Sequence, residues 1–285
     1  IRNPKEGKQQ AKLYADCLER EFKRRPIIYY SNGYEHWFWD DTNYPSRSVQ
    51  GFHSKDELEL MMQRRTSRSS LKSEKINNEI VERGYQHEAI RKVTEAFEEN
   101  NERRSLLVMA TGSGKTRVTI ALVDLLIKCN WVKRVLFLAD RVSLVKQSTK
   151  EFGKHLPDVQ VVNLLKNPDA NGRIYVSTYQ TILNQINRVE NNQRKFGIGY
   201  FDLVVVDEAH RSIYSKYKSI FKYFDSYLVG LTATPKDEVD RNTYSLFQRE
   251  NQDPTYAFGL EEAIDQGYLV PPKSVSVPLN IVREG

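Results

Sequence analysis

The sequence predicts an α/β protein, a parallel sheet covered by helices on both faces, preceded by a small α+β module. Two observations carry that prediction. From about residue 80, short β-branched apolar runs alternate with stretches of helical periodicity, and strands apolar on both faces belong to parallel sheets whose crossovers cover both sides. Ahead of that point the texture differs, with one helical pattern, two aromatic-rich runs around Asn32-Gly33, and a basic polar stretch at residues 64–70. With 285 residues, 39% hydrophobic and 28% charged, the chain can build a core and has the length of one to two domains.

Taken in order, residues 7–22 read as an amphipathic helix because Ala11, Tyr14, Ala15, Leu18 and Phe22 recur at three- and four-residue steps. Pro26 ends it. The runs Ile27–Tyr30 and Tyr34–Trp39 flank Asn32-Gly33, a two-residue hairpin signal in which both residues tolerate positive φ. Ser54 is a candidate N-cap for a helix through Leu58, Leu60 and Met61. Residues 64–70 lack periodicity and are expected to link two domains. Strands are then expected at 106–109, 135–138, 174–176, 203–206 and 227–231, with helices at 117–128 and from Arg141 toward His155. The expected division is 1–70, 71–255 and a connecting segment 256–285.

Composition excludes some classes of function. No uninterrupted run of about 18 apolar residues occurs, so no membrane-spanning helix is expected. Cys17 and Cys129 have no metal-ligand spacing and read as buried small hydrophobes in a reducing compartment such as the cytoplasm. The formal charge of +6 permits a polyanionic partner. Its excess lies at the front, where residues 1–75 hold 15 basic against 11 acidic side chains. The chain opens on Ile1-Arg2-Asn3-Pro4, without a methionine or a charged-then-apolar leader, and reads as a piece of a longer protein.

The chemistry concentrates at strand ends. Thr111-Gly112-Ser113-Gly114-Lys115-Thr116 follows a strand and opens a helix, the context in which a glycine-rich loop brings backbone N–H groups against phosphate oxygens. There Lys115 would reach the outer phosphates of ATP and Thr116 would ligate Mg²⁺. A strict phosphate-binding loop would carry Gly where Met109 stands. Asp207 and Glu208 follow the most apolar strand. Two carboxylates so placed can divide the work, Asp207 holding Mg²⁺ and Glu208 activating water. Gln86, upstream, can read the N6/N7 edge of adenine, and Arg117 can stack on the base. Thr232 and Thr234 end the last expected strand, where they could bond His210 and report nucleotide state. Arg141, Ser177 and Thr178 are phosphate-type donors for a nucleic-acid backbone.

The order of these motifs resembles superfamily 2 helicases and translocases over about residues 80–240. The resemblance implies a RecA-like P-loop domain, ATP and Mg²⁺ as cofactors, and catalytic roles for Lys115 and Glu208. Gln10-Ala11-Lys12-Leu13-Tyr14 is similar to the Gln-x-x-x-Tyr motif of RecB-like nucleases. With Tyr34-Glu35-His36-Trp37, and with Leu260–Ile264 and Gly267–Pro271, it resembles the restriction (R) subunit of type I restriction enzymes. That likeness implies double-stranded DNA as substrate and methyltransferase (M) and specificity (S) subunits as partners. It also implies that the nuclease carboxylates precede residue 1 and that an arginine finger follows residue 285, leaving these residues with weak ATP hydrolysis and no cleavage of their own. A type III restriction or repair helicase is the alternative within the same chemistry, and a nucleotide-gated scaffold is the alternative outside it.

Overall fold

The computed structural model describes residues 4–190, 193–209, 211–234, 238–239, 241–249 and 251–271. Its first elements are helix α1 (Lys8–Phe22), strands β1 (Ile28–Ser31), β2 (His36–Trp39) and β3 (Arg47–Val49), and helix α2 (Lys55–Ser67). The three strands form one antiparallel sheet in the order β1-β2-β3. Ser54 caps α2 as expected, accepting from Glu57 N, while the Glu57 carboxylate accepts from Ser54 N.

Three expectations for this module change. The hairpin loop has four residues, because Ser31 pairs with His36. Only Gly33 takes positive φ (90°), while the Asn32 carboxamide accepts from Tyr34 N and Glu35 N and closes the loop with its side chain. The stretch expected as a linker is helical through Ser67, and Arg64 and Arg65 are drawn in by carboxylates, Asp202 and Asp40. Along α1 the apolar stripe stays outside: Tyr14, Leu18 and Phe22 are exposed, Ala15 is buried, and Cys17 is exposed where a buried side chain was expected.

The chain continues through α3 (Gly84–Glu98), β4 (Arg104–Met109), α4 (Lys115–Lys128), β5 (Val135–Ala139), α5 (Val142–His155), β6 (Val161–Asn163), β7 (Ile174–Thr178) and α6 (Tyr179–Asn187). A short hairpin of β8 (Val189–Glu190) and β9 (Gln193–Arg194) precedes β10 (Leu203–Asp207). Last come α7 (Arg211–Tyr223), β11 (Tyr227–Thr232), α8 (Arg241–Leu246), β12 (Tyr256–Phe258) and α9 (Leu260–Asp265). Seven strands form one sheet in the order β12-β4-β11-β10-β5-β7-β6, and every pairing in it is parallel. All five strands expected from apolar runs are present. The short β6 and β12 are additions, and β12 extends the sheet past residue 255, where only a connection was expected.

Alternation along the strands shows why both faces are covered. Val135, Phe137 and Ala139 of β5, with Leu203 and Val205 of β10, join a core formed with α3, α4 and α5. Leu136, Leu138, Val204 and Val206 point the other way and pack with α6, α7 and α8. Phe38 and Val49 of the front sheet belong to that second core, so the small module is seated on the large one. Ion pairs reinforce the seat: Arg64 donates to Asp202 from Nη1 and Nη2 (2.5 and 3.0 Å), and Arg47 to Asp225 from Nε and Nη2 (2.6 and 2.7 Å).

Gly230 in β11 is required by packing, since a Cβ there would lie 2.2 Å from Cζ of the fully buried Phe247. Gly230→Ala should cost about 1–3 kcal/mol, read as a shift of the denaturant midpoint with unchanged slope. Trimming the ring as well, with Phe247→Leu, should recover part of that loss.

Candidate nucleotide site

Strand order brings the motifs together. β4 ends at the glycine-rich loop, β10 at Asp207, and β11, which carries Thr232, lies between and paired to both. Their carboxyl ends share one edge, where open α/β sheets bind ligands.

In the loop, Gly112 and Gly114 have φ of 84° and 88°, conformations that side-chain-bearing residues rarely adopt. A Cβ on Gly114 would also fall 2.6 Å from Nε2 of Gln86. Ser113 is buried and turns its hydroxyl inward to the Ala110 carbonyl (2.7 Å), while Thr111 is exposed and Thr116 partly so. Lys115 Nζ donates to the Met109 carbonyl at 3.4 Å, holding the ammonium over the loop. The loop thus gathers two positive-φ glycines, a cation and the start of α4 at one point.

Gln86 sits against this loop, almost fully buried, with Nε2 donating to the Ser113 carbonyl (3.0 Å) and Oε1 accepting from Arg83 N (3.4 Å). Its amide is thus spent on the protein here. Arg117 lies 3.8 Å from Glu82, a partly exposed pair.

Asp207 and Glu208 close the other side. Burial, then the adjacent Glu208 carboxylate, push the Asp207 carboxyl up to about 6, and Lys115 opposes them. A buried carboxylate whose charge is disfavoured is primed for a cation. Glu208 has φ of 56°, left-handed for a residue with a side chain, the kind of local strain that persists where the surroundings hold it. Ala209 N–H donates to the Leu231 carbonyl (2.8 Å) and fixes this turn against β11. Thr232 is fully buried, and its hydroxyl accepts from Thr234 N at 3.1 Å. His210 lies outside the described residues.

The expected nucleic-acid contacts separate. Arg141 is exposed at the start of α5. Thr178 caps α6, accepting from Thr181 N. Ser177 is corrected: its side chain is fully buried and donates to the Thr178 carbonyl, so it presents no hydroxyl to a phosphate. Gln10 and Tyr14 do meet, Nε2 donating to the phenol oxygen at 2.9 Å on the exposed face of α1.

Two supporting residues escaped the sequence reading. Tyr179 is buried and donates to the Asp207 carbonyl (3.0 Å). Tyr85 donates to the Ser113 carbonyl (2.8 Å) and stacks on Phe258 with centroids 4.0 Å apart. Each is adjacent to a recognised motif, but an aromatic flank alone does not distinguish support from core.

Comparison with known proteins fits this geometry. The family described as type III restriction enzyme, res subunit, matches residues 79–237. The chain is 36% identical over 214 residues to the type I restriction enzyme EcoAI endonuclease subunit of Escherichia coli, covering 71% of this chain and 25% of that protein. It is 28% identical over 298 residues to the EcoKI endonuclease subunit of Escherichia coli K12, covering 90% of this chain and 24% of that one. A fragment structure assigned to the HsdR subunit of a type I restriction enzyme from Vibrio vulnificus YJ016 overlays 93% of this chain and 47% of its own with a TM-score of 0.50 and 26% identity. The chain spans about a quarter of the length of these curated relatives. At 90% of the chain the EcoKI match must run into the front module as well as the sheet domain, and the chain belongs to the restriction-enzyme family described as type III res subunit, with similarity to type I endonuclease subunits.

Proposed function

We propose that this chain comprises the first motor domain, and the end of the nuclease domain, of an ATP-dependent type I restriction subunit that translocates double-stranded DNA and cleaves it. The observation that carries the reading is the meeting of the Lys115 loop, Thr232 and the Asp207–Glu208 pair on three adjacent strand ends. The relatives named for type I enzymes favour it over a type III or repair helicase, because one of them matches through the front module.

The residues present suit ATP·Mg²⁺. Backbone N–H groups of residues 112–116 would receive the phosphates, Lys115 would leave the Met109 carbonyl for them, and Thr116 with Asp207 would hold the metal. The bound metal–nucleotide would supply the phosphoryl centre and charge neutralisation. Glu208 would orient the attacking water and take its proton. Gln86 would exchange its bond to Ser113 for the adenine edge, with Arg117 beside the base. Thr232 and Thr234, with His210, would couple this edge to DNA held by Arg141 and Thr178. The M and S subunits would be the partners in the assembled enzyme.

The deciding experiment is DNA-stimulated ATP hydrolysis and translocation by the complete polypeptide. Lys115→Ala should abolish both, and distant cleavage with them. Cleavage at normal rates by that variant would reject ATP-driven action, and absence of DNA-stimulated turnover in the unaltered protein would favour the scaffold.

A separate expectation concerns α1. If Gln10 and Tyr14 serve a nuclease centre, Gln10→Ala and Tyr14→Ala in the complete protein should cripple cleavage and leave DNA-dependent ATP hydrolysis largely intact. Measured on one folded preparation, loss of both activities or of neither would remove the assignment.

A further inference from the structure

At the opposite end of the sheet from the glycine-rich loop, a cavity of about 50 Å³ lies between the front module and the strand entrances. Five arginines line it, Arg47, Arg64, Arg65, Arg68 and Arg103, against three carboxylates, Asp40, Asp202 and Asp225. Those carboxylates are spoken for. Asp202 takes Arg64 as well as Lys133 N and Arg134 N, Asp40 takes Arg65, and Asp225 is shared by Arg47 and Arg103. Arg68 stacks over Trp131 at 4.5 Å and reaches no carboxylate among the described residues.

Hydrogen bonding leaves the same surplus. Nε of Arg64, Arg65 and Arg68 and Nη1 of Arg47 are buried without an acceptor. The Arg64 side chain is only 5% exposed. A buried cation of most kinds sheds its charge by losing a proton, but guanidinium does not deprotonate in proteins. Uncompensated charge in such surroundings is costly, and burial with the neighbouring Arg47 already pushes the Arg103 pKa down. A cavity of this volume exceeds what one water needs.

We propose that this cavity is a binding site for a small inorganic anion of halide size, which offsets part of the guanidinium surplus and completes the joint between the front module and the sheet. Water could fill the same space and satisfy the N–H groups, but it would leave the charge. Chloride and bromide are the probes.

Crystals of the full chain grown in bromide should show an anomalous peak inside the cavity. At constant ionic strength, replacing gluconate, a bulky and weakly coordinating anion, by chloride should raise Tm by roughly 2–4 °C. Arg68→Gln removes one guanidinium without orphaning a carboxylate, and it should lose at least half of that chloride-dependent shift whatever its own baseline stability. Absence of bromide from the cavity, or the same Tm in gluconate and chloride, would overturn the proposal. Neither result bears on ATP hydrolysis, whose residues lie at the other end of the strands.

Discussion

Glu208→Gln should lower DNA-stimulated ATP turnover of the complete protein by about 10²–10⁴ while leaving nucleotide affinity near its original value. The range is that of removing a positioned general base. The amide keeps the size and one acceptor of the carboxylate, so the left-handed turn at φ 56° and the Ala209–Leu231 bond should survive. What it cannot do is accept a proton from water. Asp207, whose carboxyl is pushed up to about 6 by burial and then by Glu208, should fall only in part once that neighbour is neutral, because its burial remains. Binding of a fluorescent ATP analogue, measured beside single-turnover hydrolysis, separates the outcomes. Loss of binding in step with turnover would mean that Glu208 holds the site's shape or its metal and does not act on water.

How far the sequence carried this site depends on the kind of interaction. The sheet domain was legible because its strands are buried on both faces and therefore written as unbroken apolar runs, as in Val204–Val206 and Leu136–Leu138. The glycine-rich loop was legible because its glycines answer a local conformational demand at Gly112 and Gly114. Interactions between distant residues were not. Nothing local marks Arg64 and Arg65 as partners of Asp202 and Asp40, so a stretch rich in arginine and serine read as a linker. Ser177 read as a surface donor because its type and strand-end position are right, whereas the pairing of β5 with β7 places it inside. The stripe on α1 has the periodicity of a buried face, yet Tyr14, Leu18 and Phe22 are exposed among the described residues. Periodicity shows that a face is apolar and does not supply what it packs against.

The second large effect is structural, and it lies in the joint between the two modules. Asp225 accepts Arg47 at 2.6 and 2.7 Å and Arg103 at 3.2 Å, with His53 Nε2 3.1 Å away. The surrounding guanidinium groups hold its carboxyl well below the usual carboxylate range despite the opposing effect of burial. Asp225→Asn would leave Arg47 and Arg103 facing one another without a counter-charge, a type of loss that costs about 3–5 kcal/mol. The sign with pH follows from the depressed value: the carboxylate's contribution is fully present above the unfolded-state value near 3.8 and is lost as pH falls through the lower folded value. Unaltered protein should therefore lose stability from this group only below about pH 4, and Asp225→Asn should lose less there, keeping only the share of other depressed carboxylates such as Asp40. Denaturant midpoints at pH 7 and at pH 3 for the two proteins give both quantities. A difference below 1 kcal/mol at pH 7 would mean that the arginines find other partners when the carboxylate is gone, and that the joint does not depend on Asp225.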